Sequence, residues 1–94
     1  MRNYELITII KASLGDEKAK AVSKEIQDLI VANKGTVVKA DFWGKRKFAY
    51  EIKRDKEGYY DVIEFQLDPE FISKIKSKIK LMDSITRYLI TVKS

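Results

Sequence analysis

The alternation of residue types from Asp41 to Tyr60 constrains the fold of this chain more than any other feature. From Arg46 onward, Phe48, Tyr50 and Ile52 fall on one side of an extended strand. Lys45, Lys47, Ala49, Glu51 and Lys53 fall on the other. Arg54 to Gly58 supplies a short polar turn, after which Tyr59 opens a return strand. The pattern requires a two-stranded ribbon with one apolar face and one basic face. Lys and Arg neutralise phosphates, while aromatics stack on bases or fill a core, so RNA is the expected polyanion.

The flanks of the ribbon complete a sheet. Tyr4 to Ile10 is rich in β-branched residues, with Leu6 and Ile10 on one side and Ile7 and Ile9 on the other, the pattern of a central strand. Asp16 to Asn33 changes to helical spacing, with Ala19, Val22, Ile26, Leu29 and Ile30 on one stripe and Lys34-Gly35 as the exit. Thr36 to Phe42 is extended, and Gly44 marks a bulge or bend before the ribbon continues. Tyr59 to Leu67 is the return strand. Asp68-Pro69-Glu70 is a helix start leading to about Lys80, with Ile72, Ile75 and Ile79 inward. Ile85 to Val92 is the last strand.

The order β-α-β-β-α-β predicts one α+β domain over residues 1–94. It is the ferredoxin-like arrangement, a four-stranded antiparallel sheet with two helices on one face. Right-handed crossovers place the first and third strands at the centre. The second face stays open, with Ile7, Ile9, Tyr60 and Val62 expected there, and an open apolar face meets a partner.

Composition narrows the chemistry. With no Cys and no His among 94 residues, thiolate and imidazole metal sites, cysteine nucleophiles and the commonest general base are excluded. Neither a signal segment nor a membrane-length apolar run is present, so the expected setting is cytoplasmic, with no membrane partner. The net charge of +5 is unevenly spread. Residues 39–56 carry seven basic and three acidic groups, residues 57–69 four acidic and no basic, and residues 70–94 six basic and two acidic. Such polarity suits steering onto RNA, although a well-solvated lysine-rich surface has the same composition.

Enzymes of this architecture are a poor match. Acylphosphatases cradle phosphate in the loop after the first strand, here Lys11-Ala12-Ser13-Leu14-Gly15, which has one Gly and no Arg. Cluster-binding ferredoxins need cysteines. No catalysis, cofactor, metal or small-molecule substrate is expected. A stand-alone RNA-recognition module is the stronger rival; its third strand presents aromatic rings outward, and Gly58-Tyr59-Tyr60 only begins that pattern.

Several motifs in order carry a family resemblance over nearly the whole chain. Met1-Arg2-x-Tyr4-Glu5, Gly44-x-Arg46-x-x-Ala49-Tyr50-x-Ile52, Gly58-Tyr59 and Asp83-x-Ile85-x-Arg87-x-Leu89 resemble the family of the sixth protein of the bacterial small ribosomal subunit. The resemblance implies a structural ribosomal protein. Such a protein binds small-subunit (16S-type) rRNA as a heterodimer with the eighteenth small-subunit protein. Arg2, Tyr4, Arg46 and Arg87 stand at matching positions and become RNA-contact candidates; Lys45, Lys47 and Lys93 join them on charge and placement. Many family members continue into a polar or acidic tail beyond the position of Ser94, and contacts made by such a tail are not expected of this sequence.

Each candidate has a competing role. Arg87 either meets phosphate or a base edge, or ties down its strand through Asp83 or Glu5. Trp43 either stacks on a base, docks the partner, or plugs one end of the core, the simplest of the three. Tyr4 can bury its ring while its hydroxyl reaches the surface. Phe48, Tyr50, Phe65 and Tyr88 are expected in the core.

Overall fold

A computed structural model describes residues 1–52 and 55–93, the side chains of 46–52 and 55–57 excepted. The strands are β1 (Arg2–Lys11), β2 (Thr36–Ile52), β3 (Asp55–Leu67) and β4 (Ile85–Lys93); the helices are α1 (Asp16–Ala32) and α2 (Ile72–Lys80). All pairings are antiparallel, in the lateral order β2-β3-β1-β4, so the first and third strands are central as expected. The segment after β1 forms a short 3-10 turn at Ala12–Leu14 rather than an irregular loop.

Strand parity sorts the sheet into two faces. Tyr4, Leu6 and Ile10 of β1 and Tyr59, Ile63, Phe65 and Leu67 of β3 are buried beneath the helices. Against them pack Ala19, Val22, Ile26 and Ile30 of α1 and Ile75 and Ile79 of α2, the stripes set by helical spacing. Apolar burial of this kind is the main source of stability; truncating Ile26 to Ala would cost about 2–5 kcal/mol.

Local chemistry fixes the helix ends. The Asp68 carboxylate accepts from the Glu70 N–H at 3.3 Å, and Pro69 occupies the first position of the turn that leads into α2. At the exit of α1, Asn33 Nδ2 donates to the Leu29 carbonyl at 2.9 Å, and Lys34 takes the left-handed conformation with φ 67°. Gly35 serves closeness rather than handedness. A Cβ there would lie 2.7 Å from Ile30 Cγ2 and 2.9 Å from the Gln66 carbonyl, so a side chain would wedge α1 away from β3.

The ribbon is longer than its side chains suggested. β3 starts at Asp55, and Gly58 already pairs with both Arg46 and Lys11, where a turn was expected. Main-chain hydrogen bonds make the ladder, so polar residues can extend it as well as apolar ones. Phe48 and Tyr50, assigned to the core, Lys53, assigned to the basic face, and Arg54, assigned to the turn, lie outside the described side chains or residues.

One polar intrusion interrupts the helix-covered face. Thr8 and Asp61 are register partners on β1 and β3, both fully buried, and neither the Thr8 hydroxyl nor either Asp61 oxygen has a hydrogen-bond partner among the described residues. Burial, reinforced by Asp41, pushes the Asp61 carboxyl above the ordinary carboxylate value; the nearby Ser23 hydroxyl opposes this without closing a full hydrogen bond.

Candidate nucleic-acid and partner interface

The opposite face has no helix over it, and the register lays its residues out in rows. Gly44, Tyr60, Ile9 and Arg87 make one row; Asp41, Val62, Ile7 and Leu89 the next; Lys39, Glu64, Glu5 and Thr91 a third. Ile7, Ile9, Tyr60 and Val62 therefore share the open face, as parity predicted. Val62 is itself almost covered by its neighbours, while Leu89 is 57% exposed. The result is an apolar centre with a charged border.

Trp43 is on this face too, and not at the end of the core. A register shift between Phe42 and Gly44 inserts it as an extra residue, with Gly44 at φ 83°. The indole lies on Tyr60, the rings stacked at 6.3 Å and 9° with Trp43 48% exposed. Trp43 shares the parity of Asp41, so alternation points it here; what the bulge reverses is the parity beyond it, which brings Gly44 to this face and sets Lys45 opposite the buried Tyr59.

The basic candidates separate into two ends of the sheet. Arg87 is exposed in the Ile9 row and beside a shallow apolar hollow lined by Ile7, Ile9 and Leu89. Among the described residues it makes no ion pair with either Asp83 or Glu5. Lys45 is exposed opposite Tyr59, and the backbones of Arg46 and Lys47 pair with Gly58 and Glu57 at the same end. Lys11, which the sequence did not single out, and Lys80, read there as part of a solvated helix face, add to this end. They line a polar cleft of about 550 Å³ with Ser13, Asp83 and Thr86. Their signal was topological: only the pairing of Lys11 with Gly58 reveals the neighbourhood.

The far end is different. Lys93 pairs in register with Asn3 and bonds to Glu64, with Glu5 at 3.8 Å. The hydrogen bond from Lys93 and its charge hold Glu64 below the ordinary carboxylate range, and Glu64, with help from Glu5, pushes Lys93 up. Arg2 is exposed beside it at the start of β1. Tyr4 is only 4% exposed and stacks on Phe65 at 5.4 Å, which puts its ring in the core.

Among the described residues no group of three or more His, Asp or Glu is placed to hold a metal, and no helix is long and apolar enough to cross a membrane. What the open face offers is contact area: an apolar centre, stacked aromatics, and Arg87 and Lys11 at one end, with Lys45 beside them in the row of Tyr59.

Comparison with known proteins agrees with this layout. A family model described as Ribosomal protein S6 matches residues 3–92. The chain is 38% identical over 91 residues to small ribosomal subunit protein bS6 of Moorella thermoacetica, covering 97% of this chain and 93% of that one. It is 41% identical over 90 residues to the protein of the same name from Clostridium perfringens, covering 96% and 95%. The crystal structure of 30S ribosomal protein S6 from Thermotoga maritima is similar with a TM-score of 0.94 and 30% identity, covering 98% of this chain and 87% of that chain.

Proposed function

Since the chain belongs to the ribosomal protein S6 family, and so is a structural, non-enzymatic component of the small subunit of the cytoplasmic ribosome, we propose that it binds small-subunit rRNA together with the eighteenth small-subunit protein. The observation that carries the proposal is the uncovered sheet face, whose apolar centre ends in exposed Arg87. A partner protein covers Ile7, Ile9, Trp43, Tyr60 and Val62, and excludes water from them. RNA then meets the cations at the ribbon end: Arg87, Lys45, Arg46 and Lys47. Arg2, Lys93 and the Tyr4 hydroxyl are secondary contacts at the other end. Phosphate neutralisation supplies most of the affinity, and the shape of the folded RNA selects the site.

The test is a titration of a small-subunit rRNA fragment with this chain, with the partner, and with both. Tight, salt-sensitive binding only by the mixture is expected; equally tight binding by the chain alone would remove the partner requirement. That second outcome would favour a stand-alone RNA-recognition module. The outward Trp43–Tyr60 stack supports that alternative, since it is a surface on which an unpaired base can lie.

A further inference from the structure

We propose that the cleft between α1 and β2, on the helix-covered side of the sheet, is a binding site for a primary ammonium group seated on the Asp61 carboxylate against the Phe42 ring. The cleft has a volume of about 200 Å³ and is lined by Lys20, Ser23, Gln27, Ala40, Phe42 and Asp61. Its floor is the one carboxylate in the described core, fully buried, with both oxygens lacking a donor. A charge held this way in a low-dielectric setting demands compensation. Three neutral groups surround it: Ser23 and Gln27 of α1, hydrogen-bonded to one another at 3.3 Å, and Thr8 of β1. Asp41 of β2 adds negative potential. Among the described residues the only cation lining the cleft is Lys20.

The wall already holds an ammonium. Lys20 Nζ lies 5.8 Å from the centroid of Phe42, the register partner of Asp61. It also lies 3.1 Å from Asp16, with both side chains largely exposed, so that bridge is weak and easily exchanged. In the proposed state Lys20 exchanges the exposed carboxylate for the buried one. An ammonium has three donors, enough for both Asp61 oxygens and the Thr8 or Ser23 hydroxyl. A soluble primary amine would satisfy the same groups, so the occupant is either Lys20 or such an amine.

The test uses the whole chain at neutral pH, reading the Asp61 Cγ resonance and unfolding by denaturant. If Lys20 is the occupant, a double-mutant cycle of Lys20→Met and Asp61→Asn shows coupling of about tenfold in the unfolding equilibrium constant, against little for Lys20 with Asp16. If a soluble amine is the occupant, that coupling is small. Methylammonium added to Lys20→Met then shifts Asp61 Cγ saturably, while tetramethylammonium, which has no N–H, does not. Phe42→Leu weakens that response several-fold and leaves Asp61 in place, should the Asn variant fail to fold. Absence of both coupling and methylammonium response, an equal response to tetramethylammonium, or a protonated Asp61 at neutral pH would overturn the proposal.

Discussion

Arg87 and Lys93 stand six residues apart on β4, carry the same charge and face the same side of the sheet, yet they differ in what they can do. Lys93 is committed to Glu64 and Glu5, carboxylates brought beside it by three-strand register. Arg87 sits in a row of Ile9, Tyr60 and Gly44 and makes no ion pair among the described residues, so its five donors are left for something outside the chain. The lesson is that a basic residue becomes a ligand contact through what its cross-strand neighbours lack. Net charge says little about it.

The difference can be broken or sharpened by substitution. Arg87→Ala has the largest expected effect: RNA affinity of the mixture falls by about 1–3 kcal/mol, and the salt slope by about one, with Tm unchanged. Filter binding across a salt series and calorimetry check both, and a lowered Tm with intact RNA affinity would return Arg87 to a structural role. Trp43→Ala should weaken partner binding by at least about 1 kcal/mol in isothermal titration, with RNA contacts less affected. Lys93→Ala should change RNA affinity less than about twofold, since a clamped exposed pair contributes little. Glu64→Gln sharpens the contrast, because loosening Lys93 should give it a measurable share in RNA binding. The smallest effect is on pH dependence. Glu64 is depressed in the fold, so its contribution is present above its unfolded value and lost as pH falls through the lower folded one. Lys93 is raised, so its contribution is present below its unfolded value and lost as pH rises through the folded one. The clamp thus spans the neutral range and opens at both extremes, which NMR titration of the Glu64 carboxyl would follow.

Most of the architecture was legible because period and punctuation agree. Helical spacing marked Val22, Ile26 and Ile75, Asp68-Pro69 marked the start of the second helix, and the order of elements implied the strand order. Parity placed Ile7 and Ile9 on the open side. What stayed hidden depends on non-local pairing. No spacing along the chain joins Lys93 to Glu5 and Glu64, and the faces of Gly44 and Lys45 depend on a bulge that alternation does not encode. Asp61 had a readable sign: it shares parity with Tyr59 and Ile63, and a carboxylate at a core position is an exception worth pursuing.

The bulges of β2 have a bearing on the life of the protein before assembly. As an outer rim of the slab, β2 has a backbone able to recruit another strand, and a sticky rim invites fibres. Its register slips between Val37 and Lys39 and again between Phe42 and Gly44, within a stretch where Lys39, Asp41 and Lys45 are exposed. A straight neighbouring chain cannot follow two such offsets without losing bonds or burying charge. The same irregularity that seats Gly44 beside Trp43 therefore discourages copies of the chain from zipping together while they await their place in the particle.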